Sequence, residues 1–310
     1  MRALQFHEYG PASVLTVDDI PEPHAGPGTI RIAVRVAGVT PADWYLRSGR
    51  LRERIDLPLP HVLGVDAAGV VDEVGEGVTD VAVGDPAFGV IDIRALGGAA
   101  AEYAVLVAWA SKPESLSWEQ AGGAAANIET ATRTLGRLGV EKGSTLLIEG
   151  AAGGVGTLAV QLAVARGATV IGTARESNHE FLAGLGALPV TYGAGLAERV
   201  AALAPGGVDA VLDCAGKGSL PDLVKIAGAP DRVVTIADFR AHEYGVPMSR
   251  TGGPGTLDTP RYDGLATAAA LADEGRFTVP VHAAFPLTEA AAAHNLSETG
   301  HPRGKIVLTI

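Results

Sequence analysis

Residues Thr145–Ala174 read TLLIEGAAGGVGTLAVQLAVARGATVIGTA and carry the strongest indication of the fold. The stretch begins with a short apolar run typical of a buried strand, and the later TLAVQLAVARG predicts a helix. Between these two elements lie Gly150, Gly153 and Gly156, a G-x-x-G-x-x-G variant of the dinucleotide-binding fingerprint. ATVIGTA at the end predicts a second strand. The strand–loop–helix–strand order therefore predicts the first part of a dinucleotide-binding unit.

The physical demands on such a loop explain its glycines. The strand must turn sharply into the helix, the backbone must approach a pyrophosphate, and the helix must lie close to the sheet. The helix N-terminus then offers free N–H groups and the positive end of its dipole. In a chain with 41 glycines the triplet alone could be an ordinary turn, but the flanking strands and helix favour a cofactor site.

The end of the second predicted strand indicates which cofactor the loop would hold. An NAD site usually places Asp or Glu there to bond the ribose 2′-hydroxyl, whereas an NADP site avoids that charge and supplies cations. Here the strand ends in Thr173 and Ala174, and Arg175 follows at once. Glu176 could be the acid, but we expect it to face solvent. The alternative for Arg175 is a solvated turn residue, which the pattern favours less than a cofactor contact. The pattern favours NADPH over NADH.

The rest of the chain divides into a β-rich part and an alternating part. Up to about residue 118, strand-like runs such as Ala99–Val107 are separated by Pro and Gly clusters. Ser117 is a candidate N-cap for a helix over Trp118–Leu138. Beyond Ala174, apolar runs alternate with helical patterns, which predicts a parallel sheet covered on both faces. A Gly/Pro-rich run over 245–260, a helix and a strand-like tail complete the order.

Composition excludes several classes of function. The 310 residues carry a net charge of −11 without a cluster of five or more Lys or Arg, which argues against nucleic acid or an anionic membrane as partner. The single cysteine, Cys214, excludes an internal disulfide and a cysteine-based zinc cluster. No run of about 20 apolar residues would span a bilayer, and the N-terminus lacks a secretory signal pattern. We expect a cytoplasmic protein.

Several ordered motifs carry a resemblance to a known family. Ala37–Gly49 (AGVTPADWYLRSG) is similar to the pattern GVNPxDxxxRxG, and His61–Asp85 (HVLGVDAAGVVDEVGEGVTDVAVGD) to GxDxAGxVxxVGxxVxxxxxGD. Thr145–Ala174 is similar to the same family's cofactor loop, and His301–Leu308 (HPRGKIVL) to its closing strand. Over nearly its whole length the sequence resembles the medium-chain dehydrogenase/reductase superfamily, and within it the zinc-free quinone oxidoreductases.

The resemblance implies a two-domain α/β fold. A GroES-like, β-rich catalytic domain would comprise residues 1–118 and 259–310, and a Rossmann domain with a doubly wound parallel sheet would be inserted at 119–258. The active site would lie in the cleft between them. NADPH would be the cofactor, a quinone or an α,β-unsaturated carbonyl would receive the hydride, and a homodimer would form through sheet edges of the cofactor domains.

The resemblance also assigns roles to single residues along the cofactor. The predicted pyrophosphate contacts are Gly153, Gly154, Val155 and Gly156, and the predicted 2′-phosphate contacts are Arg175, Asn178 and Tyr192. Ala215 and Gly216 are predicted near the adenosine, and Thr235, Ile236 and Ala237 near the nicotinamide. Arg303 and Lys305 of the tail are also predicted to reach the cofactor. Tyr192 is expected to end the third strand of the sheet.

In the substrate region the resemblance points to Thr40, Asp43 and Tyr45, with Thr40 in place of the family's usual Asn. The hydroxyls of Thr40 and Tyr45, and backbone N–H groups near Ala237, are candidate donors to the substrate oxygen, where negative charge develops. Tyr45 could equally be an aromatic wall. Asp43 is expected to order its loop by bonding backbone amides. No general acid stands out, and solvent is an available proton source.

Zinc alcohol dehydrogenases of the same superfamily carry a Gly-His-Glu segment whose His binds zinc. Gly64, Val65 and Asp66 align with it, and Val65 has no donor atom. No thiol stands at the earlier Cys ligand position, near Val39 and Thr40, and the nearby His61 lies out of the ligand register. Because a catalytic zinc needs about three protein ligands, we predict no metal.

Two alternatives stay open beside an NADPH-dependent quinone or enone reductase. An enoyl-thioester reductase would need a basic entrance for carrier phosphates. Arg47, Arg50, Arg52 and Arg54 could supply it, unless they only keep a surface loop solvated. A non-catalytic NADPH-binding or redox-sensing protein would bind the cofactor without turnover. The sequence does not name the physiological acceptor.

Overall fold

The computed structural model describes residues 1–252 and 257–310. The strands of these residues are β1 (Arg2–Phe6), β2 (Leu15–Asp19), β3 (Ile30–Val39), β4 (His61–Val62), β5 (Asp66–Val74), β6 (Pro86–Val90), β7 (Tyr103–Leu106), β8 (Ala108–Ser111), β9 (Thr145–Glu149), β10 (Thr169–Thr173), β11 (Leu188–Val190), β12 (Ala210–Asp213), β13 (Val233–Thr235), β14 (Val281–Pro286) and β15 (Lys305–Thr309). The α-helices are α1 (Pro41–Arg47), α2 (Trp118–Gly122), α3 (Ala125–Arg137), α4 (Gly154–Ala165), α5 (His179–Gly184), α6 (Leu196–Leu203), α7 (Leu220–Ala227), α8 (Asp263–Asp273) and α9 (Ala290–Glu298).

The chain divides into two compact units. The first comprises Met1–Glu129, residues 251–252 and Tyr262–Ile310, and the second comprises Thr130–Arg250 and Leu257–Arg261. The chain passes from the first unit into the second within α3. A β-rich unit interrupted by an inserted α/β unit is the fold class that the sequence predicts.

The first unit is built on two β-sheets. In the larger sheet the strand order is β14-β15-β3-β5-β6-β8, and β7 also pairs with β3. β14 and β15 run parallel, whereas the other paired strands are antiparallel. In the smaller sheet, β1 pairs with β2 and β4. Because the tail strand β15 lies beside β3, segments from both ends of the sequence share one sheet.

The second unit is a five-stranded parallel sheet in the order β11-β10-β9-β12-β13. Its first strand along the chain, β9, is central, and the order reverses between β9 and β12, as in doubly wound folds. One core contains buried aliphatic side chains from these strands, including Leu147, Ile171, Val211 and Val233, together with side chains of α6 and α7. Apolar strands of this kind are typical of parallel sheets, and the predicted sheet is confirmed.

The helical pattern over Trp118–Leu138 forms two helices instead of one. Ser117 caps α2, since its hydroxyl accepts a hydrogen bond from the amide of Gln120 at 3.2 Å. α3 then starts anew because the carboxylate of Asp66 in β5 accepts a hydrogen bond from the amide of Ala126 at 3.0 Å. First-turn amides have no partner inside a helix, so this distant carboxylate stabilises a second helix start.

The strand predicted over Ala99–Val107 is shorter than expected. Only β7, at its C-terminal end, pairs in the sheet. Residues 99 and 100 instead donate their amide hydrogens to the carbonyls of residues 64 and 63, at 3.0 and 2.9 Å. These bonds hold residues 99 and 100 against the segment before β5, so the two residues do not pair as a strand of the larger sheet.

The third strand of the parallel sheet ends two residues before the predicted position. β11 stops at Val190, whose register partner Thr173 ends β10, so Tyr192 lies in the following loop and is 52% exposed. The Gly/Pro-rich run predicted over 245–260 includes residues 253–256, which lie outside the described residues. Within the described ranges, no helix combines the length and apolarity needed to cross a bilayer.

Candidate functional site

The loop after β9 has the geometry of a dinucleotide-binding turn. Gly150 has φ +75°, in the left-handed region, and Gly153 is the N-cap of α4. A Cβ atom on Gly156 would lie 2.4 Å from the carbonyl oxygen of Gly150. The third glycine therefore lets α4 begin directly against the turn, which is the close approach that the fingerprint requires.

The start of α4 offers backbone amides to an anion. The helix begins at Gly154, and Gly153 before it has no side chain to cap the first turn. The amides of Gly154, Val155 and Gly156 therefore stand at the positive end of a twelve-residue helix. This arrangement suits a phosphate or pyrophosphate group, at the place that the sequence predicts.

The candidates for the 2′-phosphate lie at the carboxyl ends of β10 and β11. β10 ends in Thr173, whose buried hydroxyl accepts a hydrogen bond from a loop amide at 3.2 Å. Arg175 and Glu176 are both exposed beyond it, and Asn178 is half-buried in the short 3₁₀ turn that follows. Tyr192 follows the neighbouring parallel strand. The structure therefore brings Arg175, Asn178 and Tyr192 to one edge of the sheet.

A buried carboxylate that the sequence analysis missed organises the loop after β12. Asp213 ends this strand and is 0% exposed. Its Oδ1 accepts hydrogen bonds from the amides of Ala215 at 2.8 Å and Gly216 at 3.0 Å, and its Oδ2 accepts one from the hydroxyl of Thr235 at 2.7 Å. A carboxylate that ends an apolar strand, as in VLDCAG at 211–216, is the sequence signal that could have found it.

Thr235, predicted to face the nicotinamide, is instead fully buried at 0% exposure. Its hydroxyl accepts hydrogen bonds from the amides of Ala237 at 3.1 Å and Asp238 at 3.0 Å. Ile236 and Ala237 are half-buried. Thr235 therefore shapes this loop from inside, whereas residues 236 and 237 are partly accessible at the sheet edge.

Glu149, at the end of β9, is a second group that the sequence analysis missed. It is 6% exposed, lies in register beside Asp213, and its Oε2 has no hydrogen-bond partner among the described residues. Burial raises the pKa of Glu149 to about 7; the Ser219 hydroxyl opposes the rise, and the charges of Asp213 and Asp222 add to it. A carboxyl group that titrates near neutrality therefore precedes the glycine loop.

In the first unit, Thr40 and Asp43 form a closed hydrogen-bonded group at the start of α1. They are 8% and 1% exposed. The Asp43 carboxylate accepts hydrogen bonds from the Thr40 amide at 2.6 Å, the Thr40 hydroxyl at 2.9 Å and the Gly64 amide at 3.1 Å. Asp43 therefore bonds backbone amides, as expected. The only proton of the Thr40 hydroxyl points to Asp43, which leaves the Thr40 oxygen as an acceptor.

The ring of Tyr45 is held by its neighbours. It stacks on Trp44 with ring centroids 4.0 Å apart and planes inclined by 22°. The guanidinium of Arg50 lies 4.9 Å from the Trp44 centroid and 5.8 Å from that of Tyr45. Trp44 is buried and Tyr45 half-buried. Stacking and cation–π contacts give the phenol a defined position from which it can donate a hydrogen bond or form an aromatic wall.

The two predicted cofactor residues of the tail differ in exposure. Arg303 is exposed, whereas Lys305 is 3% exposed and its Nζ donates to Oδ1 of Asn127 at 3.3 Å. Burial raises the pKa of Asp66, and the positive charge of Lys305 opposes that rise. Lys305 is therefore a buried cation that interacts with Asp66 and Asn127 inside the first unit.

Two family models match the chain: "Alcohol dehydrogenase GroES-like domain" over residues 26–113 and "Zinc-binding dehydrogenase" over residues 185–308. A chloroplastic NADPH-dependent alkenal/one oxidoreductase of Arabidopsis thaliana is 31% identical over 326 residues, covering 99% of this chain and 79% of that protein. The solved quinone oxidoreductase of Coxiella burnetii is 31% identical, with a TM-score of 0.83 and coverage of 100% of this chain and 99% of that chain. A solved NAD-dependent alcohol dehydrogenase is 30% identical, with a TM-score of 0.83 and full coverage of both chains.

The chain belongs to the quinone oxidoreductase family of the medium-chain dehydrogenase/reductase superfamily. The resemblance that the sequence motifs carry is thereby confirmed. As a member of this family the protein is an oxidoreductase that uses a nicotinamide cofactor.

In this protein, the residues that align with the zinc-binding segment of zinc alcohol dehydrogenases do not fit a zinc ion. Val65 has no donor atom, and the Asp66 carboxylate is turned to the amide of Ala126. His61 lies with its Nε2 3.2 Å from the carbonyl oxygen of Leu96. In the part of the chain that the structure describes, no three His, Cys, Asp or Glu side chains come together as a metal site.

The four arginines at residues 47–54 of this family member differ in their surroundings. Arg47 is 0% exposed; its guanidinium donates to the carbonyl of Gly10 at 2.8 Å and pairs with Glu298. Both sequence interpretations of Arg47, as an anion-binding or a solvated residue, are therefore wrong. The guanidinium groups of Arg50 and Arg52 lie over aromatic rings at 4.9 and 5.3 Å, so contacts within the unit hold them as well.

Proposed function

We propose that this oxidoreductase uses NADPH to reduce a quinone or an α,β-unsaturated carbonyl without a metal ion, as a cytoplasmic homodimer. The names of its relatives support the substrate class. The observation that carries the metal-free mechanism is the donor set at residues 64–66, where Val65 offers no ligand and Asp66 bonds the amide of Ala126 at 3.0 Å.

The reaction needs a hydride donor and a means of stabilising charge on oxygen. The reduced nicotinamide, when bound, supplies the hydride from C4. In an enone the β-carbon gains this hydride, the C=C electron pair moves toward the carbonyl oxygen, and the resulting enolate takes a proton from solvent at the α-carbon. The protein must therefore orient the acceptor and provide a hydrogen-bond donor at its oxygen.

Two of the candidate donors already donate hydrogen bonds to other groups of the protein. The Thr40 hydroxyl already donates to Asp43 at 2.9 Å, and the amide of Ala237 already donates to Thr235 at 3.1 Å. We propose the hydroxyl of Tyr45 for the donor role, because stacking on Trp44 gives its ring a defined position. Thr40 and its carboxylate partner then shape the loop, and the Thr40 oxygen is available as an acceptor.

The donor assignment is tested with Tyr45→Phe and Thr40→Val. Phenylalanine keeps the stacked ring and removes the hydroxyl, so kcat should fall by about 10²-fold, as for loss of one preorganised donor. Thr40→Val should change kcat by much less than Tyr45→Phe. An unchanged kcat in Tyr45→Phe would show that the residue is an aromatic wall.

The preference for NADPH is supported by Thr173, an uncharged residue at the end of β10, and by the exposed Arg175 beyond it. Arg175→Ala should lower kcat/KM for NADPH by about tenfold, the loss expected from one charge-assisted contact. It should leave kcat/KM for NADH unchanged. Glu176→Gln is the matched control, because it alters the neighbouring exposed charge of opposite sign. An equal effect of Arg175→Ala on both cofactors would refute the assignment.

The acceptor class is tested by NADPH oxidation with 1,4-benzoquinone, 9,10-phenanthrenequinone and a crotonyl thioester. Turnover with a quinone or an enone supports the proposal, and turnover with the thioester alone would favour an enoyl-thioester reductase. Tight NADPH binding without turnover on any acceptor would instead indicate a non-catalytic NADPH-binding protein.

A further inference from the structure

The order of the parallel sheet locates the two halves of a bound dinucleotide. In a doubly wound sheet the dinucleotide lies across the carboxyl edge where the strand order reverses, here between β9 and β12. The loop after the first strand takes the pyrophosphate, and the ribose of the adenosine half is read at the end of the second strand, β10. The nicotinamide half must therefore extend the other way, over the loops after β12 and β13. This path would place Ala215 and Gly216 beside the nicotinamide half, whereas the family resemblance places them near the adenosine.

Hydrogen bonds through Asp213 and Thr235 connect the loop after β12 to the loop after β13. Asp213 accepts the hydroxyl hydrogen of Thr235 at 2.7 Å, and Thr235 accepts the amides of Ala237 and Asp238 at 3.1 and 3.0 Å. We propose that Asp213 is a positioning residue of the cofactor site, which acts through Thr235 to hold the loop at 236–238 for the nicotinamide half. The proposal rests on binding of a nicotinamide cofactor and is independent of the electron acceptor.

The direction of each hydrogen bond makes the carboxylate necessary. A threonine hydroxyl has one proton, and here it goes to Asp213 while the lone pairs accept two loop amides. Asparagine at residue 213 would keep only one acceptor oxygen. That oxygen would go to the amides of residues 215 and 216, and the NH₂ group would face the Thr235 hydroxyl, whose proton would then lose its acceptor. Asp213→Asn should therefore spare the loop at 215–216 and release the loop at 236–238.

A close backbone approach shows that the two loops are fitted to each other. Gly216 has φ +60°, and a Cβ atom there would lie 2.5 Å from the carbonyl oxygen of Ala237. The loops therefore touch each other directly. A shift of residues 236–238 away from this position would remove the surface that both loops form together.

The test compares two ligands on four variants by titration calorimetry. NADPH spans both halves of the site, whereas 2′,5′-ADP has only the adenosine half. Asp213→Asn changes charge and hydrogen bonding, Thr235→Val removes the hydroxyl but keeps the Asp213 charge, and Thr235→Ser retains the hydroxyl. Thr132→Val is the matched control, because Thr132 is 4% exposed in α3 and its hydroxyl has no partner among the described residues.

Asp213→Asn and Thr235→Val should raise the Kd of NADPH by about tenfold, since each leaves buried polar groups unpaired, and should change that of 2′,5′-ADP by less than about twofold. Thr235→Ser and Thr132→Val should bind both ligands as the wild type does. Equal weakening of both ligands, or unchanged NADPH binding in Thr235→Val, would overturn the proposal.

Misfolding of a variant and a different cofactor preference are two further possible outcomes. If Thr235→Val does not fold, the near-isosteric Asp213→Asn must show the ligand-selective loss by itself, and a non-selective result overturns the positioning role. If the wild type binds NADH in place of NADPH, the proposed cofactor preference is wrong. The same comparison then runs with NADH and ADP, so the positioning role is judged separately.

Discussion

The substitution Glu149→Gln should stabilise the protein at alkaline pH and leave its stability almost unchanged at acid pH. Burial raises the pKa of this carboxyl group from 4.5 to about 7 in the folded protein. The folded state therefore holds a proton that the unfolded chain releases above about pH 4.5. The stabilisation linked to this proton is complete below the unfolded pKa and is lost as the pH rises through the folded pKa.

The magnitude follows from the difference between the two pKa values. At roughly 1.4 kcal/mol per pH unit, the step from 4.5 to about 7 amounts to about 3–4 kcal/mol of unfolding free energy. Roughly 2–3 kcal/mol of this falls between pH 5 and pH 8. Glutamine resembles the protonated acid in shape and cannot ionise. The variant should therefore match the wild type near pH 5 and exceed its stability by roughly 2–3 kcal/mol near pH 8.

The assay is urea unfolding followed by far-UV circular dichroism across this pH range. The tryptophans, Trp44, Trp109 and Trp118, all lie in the first unit, so their fluorescence would not report on β9. Glu180→Gln, an exposed position on α5 of the same unit, controls for the general effect of removing one negative charge. A stability difference for Glu149→Gln that stays constant, or falls, as the pH rises would refute the reasoning.

Three further predictions follow from the described contacts. Gly156→Ala places a Cβ atom 2.4 Å from the carbonyl oxygen of Gly150. It should lower the unfolding free energy by about 1–3 kcal/mol in urea titrations, whereas Gly184→Ala, with open space around it, should be neutral or stabilising. Asp43→Asn should cost about 1–3 kcal/mol, because one of the three donors that meet this carboxylate loses its acceptor; unfolding followed by tryptophan fluorescence checks it. Incubation with 1,10-phenanthroline should leave NADPH oxidation unchanged, and stoichiometric zinc in the purified protein would contradict the metal-free mechanism.

Much of the second unit could be predicted because its signals are local in sequence. The turn from β9 through Gly150 and Gly156 into α4 involves only neighbouring residues, so residue type and spacing are enough to indicate it. The start of α3 could not be predicted, because its cap is Asp66, which is 60 residues from Ala126 in the sequence. The helical pattern of 118–138 contains no trace of that contact.

Arg47 shows the same limit in the first unit. It lies in a segment with other arginines, which suggested an anion-binding or solvated loop. Its partners are Gly10 and Glu298, which are 37 and 251 positions away along the chain. Burial of a charge depends on what the whole fold brings around it, and the local pattern does not contain that information.

The family, the glycine loop and the lack of a metal donor at Val65 could be read from the residues alone, since these depend on residue chemistry and short-range spacing. The positions of the protons, by contrast, depend on the folded arrangement. It directs the hydroxyl hydrogen of Thr40 to Asp43 and that of Thr235 to Asp213, and it surrounds Glu149 so that the carboxyl group keeps its proton to about pH 7. Hydrogen-bond direction and desolvation are set by groups that meet only when the chain folds.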